Sequence, residues 1–177
     1  KSIKAMRTVI ITQARMPSTR LPGKVLKTVH GKSLLQYQLE RLKRVPSADQ
    51  VVVATTTKKT DDPIVELCQY LRVSYYRGSE EDVLARYHEA AEINEAQVIV
   101  RVTSDCPLID PKIIDKVIQT YHQKFPHYVY VSNVVKRTYP RGMDTEVFSF
   151  QALKEAHEEA IALPDREHVT SFIIGQA

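Results

Sequence analysis

The sequence predicts an α/β fold in which helices cover both faces of a mostly parallel sheet. Short apolar runs alternate with segments of helical periodicity from one end of the 177 residues to the other. This alternation favours parallel strands, because each parallel connection crosses back over the sheet through a helix. Several of the apolar runs are continuous, which is typical of strands covered on both faces. A chain of this length can form one substantial core, so we predict a single domain, residues 1–177.

Three strand–helix pairs are predicted in the first half of the chain. Ser33 can cap the first helix by accepting a backbone N–H, and Pro63 suits the first turn of the second helix. Ser79 can cap the third helix, ahead of an acidic first turn. The predicted elements are a strand at 7–13, a helix from Ser33 to about Val45, a strand at 50–55, a helix starting at 60–63 behind acidic caps, a strand at 73–77 and a helix opened by residues 78–82.

The second half continues the alternation with three further strands. Asp110 and Pro111 together are typical of a helix start, with the aspartate as cap. The predicted elements are a strand at 97–103, a helix from Asp110, strands at 127–132 and 146–150, a helix at 151–162 and a last helix that starts at Pro164 and runs to Ala177.

Composition excludes several classes of protein. Charged residues make up 26% and apolar residues 43% of the chain, and the net charge is a mild +4. No run approaches the roughly 18 apolar residues of a membrane span, and no basic stripe with interleaved aromatics indicates a nucleic-acid partner. Cys68 and Cys106 lack CxxC spacing, so we expect reduced thiols and a cytoplasmic protein. The six histidines show no metal-ligand spacing, which argues against a zinc site.

A polar loop follows the first predicted strand and interrupts the apolar pattern. It carries the cations Arg15, Arg20 and Lys24 and the hydroxyls of Ser18 and Thr19, interleaved with proline and glycine. In open α/β sheets, ligands bind beyond the carboxyl ends of strands. Arginine grips phosphate oxygens in pairs and lysine adds a compact charge, so the loop suits a polyanion, with a triphosphate as the obvious candidate. The alternative is a solvated basic loop that binds nothing.

Asp105 follows another apolar strand and is expected to face the same crevice. A triphosphate usually arrives with Mg²⁺, which one or two carboxylates hold together with phosphate oxygens and water. Asp105 is therefore a candidate Mg²⁺ ligand. The alternative, equally open from the residues alone, is that its side chain caps the turn that follows.

The segment before the strand at 146–150 carries further ionisable side chains. Asp144 and Glu146 are two residues apart, so a strand would place both on one face. They could bind a substrate hydroxyl or a second metal, and the alternative is a polar strand edge. Arg141 could hold a substrate carboxylate or phosphate, or be a solvent-exposed charge.

Five stretches of the chain resemble the spore coat polysaccharide biosynthesis protein F family, a cytidylyltransferase-like group. Residues 14–24, ARMPSTRLPGK, are similar to the signature loop of the related acylneuraminate and deoxy-octulosonate cytidylyltransferases. The other stretches are residues 78–87, 101–108, 138–148 and 166–170. Together they span nearly the whole chain.

The resemblance implies a nucleotide-diphospho-sugar transferase fold, the Rossmann-like fold of A-type glycosyltransferases. It implies transfer of CMP from CTP to a sugar or sugar acid with release of pyrophosphate, in surface polysaccharide or glycan biosynthesis, and a possible homodimer. By this resemblance, the triphosphate is bound by Arg15, Ser18, Arg20 and Lys24, and the three cations among them stabilise the leaving phosphates. By the same resemblance, the residues near the base are Ala14, Gly78 and Ser79, and Asp105 binds Mg²⁺.

Two other functions remain open at this point. A glycosyltransferase that uses a finished nucleotide sugar often has an Asp-x-Asp metal motif, which residues 104–107 do not match. A non-catalytic nucleotide-binding module is the other alternative. Relatives carry a second carboxylate in an Asp-Thr-Pro-Glu-Asp-like stretch that this sequence lacks. We therefore expect the domain to be truncated at its C-terminus and the second metal ligand to lie beyond residue 177.

Overall fold

The computed structural model describes residues 5–176, and its core is a six-stranded sheet. The strands of the chain are β1 (Thr8–Gln13), β2 (Thr28–Val29), β3 (Lys32–Ser33), β4 (Gln50–Thr56), β5 (Ser74–Gly78), β6 (Val98–Thr103), β7 (Tyr130–Ser132) and β8 (Glu146–Ser149). The large sheet has the order β5-β4-β1-β6-β8-β7, and β2 and β3 form a small separate hairpin. The four strands β5, β4, β1 and β6 are parallel, whereas β8 is antiparallel to β6 and to β7. The predicted mostly parallel sheet is confirmed.

Helices cover both faces of this sheet, as the continuous apolar strands predicted. The helices are α1 (Leu34–Leu42), α2 (Asp62–Leu71), α3 (Val83–Ile93), α4 (Pro111–Lys124), α5 (Phe150–Glu159), α6 (Leu163–Glu167) and α7 (Ser171–Gly175). One core cluster joins buried side chains of α1, α2 and α4 to one face of the sheet. A second cluster joins α3, α5 and α7 to the other face. Burial of both faces accounts for the absence of alternation in the central strands.

Strand register brings several loops to one edge of the sheet. Gln13 at the end of β1 lies opposite Thr103 at the end of β6 and opposite Ala54 in β4. The chain leaves β1 toward β4 on one side, and it returns from β5 to β6 on the other side, so the strand order reverses between β1 and β6. Ligands of doubly wound sheets bind outside the carboxyl ends of strands at such a switch point.

Capping predictions hold at α1 and α4 and are wrong at α3 and at α2, where within the described residues Asp61 makes no cap hydrogen bond. The Ser33 hydroxyl accepts the Gln36 N–H at 3.1 Å, and the Asp110 carboxylate accepts the Lys112 N–H at 2.8 Å. The second helix starts with proline in its first turn. Ser79 does not cap the third helix. Its hydroxyl accepts the Asp82 N–H at 3.1 Å, and Asp82 in turn caps α3 through the Ala85 N–H at 2.9 Å.

Several predicted boundaries are too long. The first helix ends at Leu42 instead of Val45, the fifth ends at Glu159 instead of residue 162, and the strand predicted at 127–132 starts at Tyr130. The prediction of one last helix is wrong, because helix α6 ends at Glu167 and a separate helix, α7, begins at Ser171. Val169 adopts a left-handed φ of 47° there while its side chain is fully buried. Ala177, to which that helix was predicted to run, lies outside the described residues.

Arg166 holds the short helix α6 against α3. Its Nη2 donates to Asp82 Oδ2 at 2.7 Å and its Nη1 donates to the carbonyl of His157 at 2.7 Å. The same carboxylate therefore caps α3 and anchors α6. No helix among residues 5–176 has the length and apolar character needed to cross a membrane.

Candidate active site

A crevice of about 550 Å³ opens beyond the carboxyl ends of β1 and β6. Its volume lies within the range usual for small-molecule sites. Six of the side chains predicted from the sequence line it together, namely Ala14, Arg15, Ser18, Arg20, Lys24 and Asp105. The structure thus brings the basic loop and the aspartate to one place, as their positions after neighbouring strands predicted.

Backbone hydrogen bonds shape the basic loop. The Ala14 N–H donates to the Ala54 carbonyl at 3.1 Å and extends the pairing of β1 with β4. The loop closes on itself where the Gly23 N–H donates to the Met16 carbonyl at 2.9 Å. Gly23 has a φ of 68°, a left-handed conformation that glycine adopts without strain from a Cβ atom. The Ser18 hydroxyl accepts the Leu21 N–H at 3.3 Å, which turns the middle of the loop.

Asp105 faces the loop with one oxygen and the sheet with the other. Its Oδ2 lies 3.7 Å from Lys24 Nζ, and its Oδ1 accepts the Thr103 hydroxyl at 2.7 Å. Burial raises the pKa of Asp105, but the Thr103 hydrogen bond and the Lys24 charge outweigh it and hold the pKa below its ordinary value of 3.8. Neither partner is a backbone N–H of the following turn, although the Cys106 thiol of that turn donates to Oδ1 at 3.6 Å.

Arg86 on α3 is a member of the crevice wall that the sequence interpretation missed. Its side chain is 1% exposed, and its Nη1 donates to the Ser79 carbonyl at 2.8 Å. Its Nε is buried and has no partner among the described residues. Burial lowers the pKa of this guanidinium. The sequence signal was a charged residue on the apolar face of a helix, three positions after Val83 and one before Tyr87.

Gly78 and Ser79, predicted near the base, lie behind Arg86. A Cβ atom on Gly78 would come within 2.9 Å of Tyr76 Cε1 and 3.0 Å of Arg86 Cγ. A residue without a side chain is therefore needed for Arg86 to reach the wall. Neither Gly78 nor Ser79 lines the crevice itself.

Asp144 and Glu146 line one neighbouring pocket of about 240 Å³, although only Glu146 belongs to a strand, since β8 begins at Glu146 and Asp144 precedes it. Glu146 is 8% exposed and accepts three charged or hydroxyl donors. These are Arg101 Nη1 at 2.6 Å, the Tyr130 hydroxyl at 2.7 Å and the Thr170 hydroxyl at 2.7 Å. Asp144 forms a two-point pair with Arg137, at 2.6 and 3.1 Å. Arg141 is exposed and lies outside the lining of this pocket.

The donor set of the crevice is compatible with Mg²⁺. Asp105 supplies one ionised carboxylate whose side chain is 55% exposed to the crevice. Mg²⁺ commonly takes one or two carboxylates and completes its shell with phosphate oxygens and water. Among residues 5–176 no cluster of three or more acidic, histidine or cysteine side chains forms a complete protein site.

Comparison with known proteins gives one family. The cytidylyltransferase family model matches residues 9–176. The spore coat polysaccharide biosynthesis protein SpsF of Bacillus subtilis is 35% identical over 173 residues, which cover 90% of this chain and 70% of that protein.

Solved structures give the same result for the fold. A cytidylyltransferase from Leptospira borgpetersenii matches with a TM-score of 0.91 at 38% identity, over 95% of this chain and 71% of that chain. The CMP:2-keto-3-deoxy-manno-octonic acid synthetase in complex with CTP matches with a TM-score of 0.72 at 20% identity, over 95% of this chain and 84% of that chain. The second likeness concerns the fold alone, and it confirms the fold expected from the sequence.

Proposed function

Because the chain belongs to the cytidylyltransferase family, as its sequence motifs predicted, we propose that it transfers CMP from CTP to a sugar or sugar acid and releases pyrophosphate. The observation that carries the proposal is the crevice beyond β1 and β6. There the cations of the basic loop and the carboxylate of Asp105 line one space, and Lys24 Nζ lies 3.7 Å from Asp105 Oδ2.

The basic loop is the proposed triphosphate site. Arg15, Arg20 and Lys24 bring three permanent positive charges to one rim of the crevice. Ser18 adds a hydroxyl, and Ala14 lies at the fixed start of the loop, where the base is proposed to bind. Charge-assisted hydrogen bonds from such side chains to phosphate oxygens are among the stronger polar contacts in proteins.

Asp105 is the proposed Mg²⁺ ligand. Its lowered pKa keeps the carboxylate ionised at neutral pH. Mg²⁺ bound there would supply charge neutralisation at the phosphate oxygens.

The proposed reaction is an in-line displacement at the α-phosphorus. A hydroxyl oxygen of the acceptor forms a bond to the α-phosphorus as the bond to the bridging oxygen breaks, and pyrophosphate leaves with that electron pair. The hydroxyl proton passes to solvent water. Arg15, Arg20 and Lys24 stabilise the charge that develops on the leaving phosphates, so catalysis depends on positioning and electrostatics.

The acceptor is proposed to bind near Asp144 and Glu146, in the pocket next to Thr103. Thr103 lines both this pocket and the crevice, so the two spaces adjoin. Arg141 is a weaker candidate for the acceptor site because it is exposed outside this pocket. A role in surface polysaccharide synthesis, a homodimer and a cytoplasmic location stay predictions, the last resting on the free buried thiols of Cys68 and Cys106.

A coupled assay of pyrophosphate release tests the proposal. With CTP and Mg²⁺, we expect release that depends on an added sugar or sugar acid. Turnover of a finished nucleotide sugar with CTP inert would favour the glycosyltransferase alternative. Tight CTP binding with no release across a broad acceptor panel would favour the non-catalytic alternative.

A further inference from the structure

Asp61 is a fully buried carboxylate in contact with the basic loop. The sequence predicted an acidic helix cap at this position, and that prediction is wrong, since within the described chain the side chain makes no cap hydrogen bond to α2. Instead, Oδ1 accepts the backbone N–H of Met16 at 2.7 Å. Oδ2 accepts the hydroxyl of Thr56, the last residue of β4. The exposed fraction of Asp61 is 0%.

Met16 is bonded on both sides of its backbone. Its N–H donates to Asp61, and its carbonyl accepts the Gly23 N–H at 2.9 Å. Gly23 then directs the chain into a short 3₁₀ turn, Lys24–Leu26, at the point where Lys24 faces Asp105. Two hydrogen bonds, from Met16 to Asp61 and from Gly23 to Met16, therefore link Asp61 to the part of the loop that carries Arg20 and Lys24.

The start of the loop has a different anchor. Ala14 is held by its hydrogen bond to Ala54, which continues the sheet and does not involve Asp61. The proposed base site near Ala14 and the part of the proposed phosphate site at residues 18–24 thus have separate anchors. Removing the Asp61 contact should disturb the phosphate site and leave the base site unchanged.

We propose that Asp61 is a positioning residue that holds residues 16–24 in the conformation that binds the β and γ phosphates of the nucleotide. A carboxyl group suits this task because its two oxygens accept from the loop and from β4 at the same time. Burial keeps water from competing for the Met16 N–H. The inference rests on the proposed nucleotide site and adds a residue that does not itself touch the nucleotide.

Calorimetric titration of the native protein and Asp61→Ala with CTP and with CMP, each with Mg²⁺, tests the inference. We expect Asp61→Ala to weaken CTP binding about tenfold, the order for loss of one buried hydrogen bond. CMP binding should stay within about twofold, because CMP does not reach the displaced part of the loop. Equal losses for both nucleotides, or no loss for CTP, would overturn the positioning role.

Two further variants sharpen the comparison. Asp61→Asn keeps an acceptor for Met16 and can pair with Thr56, so it should restore CTP affinity, and a loss equal to that of Asp61→Ala would contradict the hydrogen-bond role. Asp62→Ala is the matched control, because Asp62 is the adjacent aspartate, is half-exposed and pairs with Arg77 at 2.8 Å. It should leave both affinities unchanged. A native protein that binds no CTP would defeat the proposed function itself, which separates the two failures.

A measurement on the native protein covers the case in which Asp61→Ala does not fold. In that case Asp61→Leu is titrated in its place, because leucine fills a volume similar to that of aspartate and has no hydrogen-bond acceptor. In the unsubstituted protein, the Met16 amide should exchange with deuterium more slowly than the amides of the exposed residues Thr19 and Arg20. Equally fast exchange would overturn the inference.

Discussion

The ammonium of Lys24 lies 3.7 Å from the carboxylate of Asp105 and joins the two sides of the crevice. In the absence of nucleotide these two charges neutralise each other. A triphosphate gives Lys24 a new partner, and Mg²⁺ gives Asp105 one. Nucleotide and metal should therefore each favour binding of the other, since either one frees a group that the other needs.

Asp105→Asn should abolish the enhancement of CTP binding by Mg²⁺. The amide is close in shape but lacks the charge that a hard cation requires. CTP affinity measured without Mg²⁺ should be unchanged or higher, because Lys24 loses its intramolecular partner. Asp110→Asn is the control, since the Asp110 side chain caps α4. An enhancement that survives intact in Asp105→Asn would assign this residue a structural role.

Arg20→Ala should weaken CTP binding by about 1.5–3 kcal/mol, the scale of a hydrogen bond to a charged group. Arg20 is exposed and lines the crevice, so the loss should not extend to the stability of the fold. Lys27→Ala removes an exposed cation three residues beyond the loop and serves as the control. Unchanged affinity in Arg20→Ala would remove this residue from the nucleotide site.

Gly78→Ala should destabilise the protein and disturb the crevice together. The new Cβ would lie 2.9 Å from Tyr76 Cε1 and 3.0 Å from Arg86 Cγ, so one of these side chains must move. Overpacking of this kind costs about 1–3 kcal/mol, which urea unfolding would measure. Gly175→Ala meets no atom within 4 Å and should change stability little. A Gly78→Ala variant as stable as the native protein would contradict the packing described here.

Stability should fall as the pH drops below about 6.5, because His88 is buried in a stack of rings. Its ring lies 4.4 Å from that of His157 and 5.4 Å from that of Phe150, centroid to centroid. Burial first, and then the charge of His157, lower the pKa of His88 from its ordinary 6.5, although Glu92, Glu89 and Glu158 oppose the shift. The unfolded chain therefore binds this proton more tightly than the folded chain.

His88→Phe keeps the stack without the titrating group. Thermal melts between pH 7 and pH 5 should show a weaker pH dependence in this variant than in the native protein. Identical profiles for the two proteins would place the acid sensitivity elsewhere.

Features set by neighbouring residues were predictable from the sequence. Ser33 caps the helix that follows it, and the basic loop lies at the end of β1, because both outcomes depend on short segments. The placement of Asp105 in the same crevice as the basic loop also followed, since β1 and β6 are parallel and end at one edge of the sheet.

Features that depend on residues far apart in the sequence were not predictable from the sequence. Asp61 looks like a helix cap because its partner, Met16, is 45 residues away in sequence. Val169 looks helical because only the packed core shows that its side chain must turn inward. Arg86 sits on the apolar face of α3, and only the assembled crevice shows that this face borders a polar site.

Calorimetric titration with CTP, UTP, ATP and GTP, each with and without Mg²⁺, tests the central claim most directly. The account predicts binding that is selective for CTP and stronger with Mg²⁺, and that is weakened in Arg20→Ala. Absence of binding to every triphosphate, or equal binding in the native protein and Arg20→Ala, would contradict the assignment of this crevice as the nucleotide site.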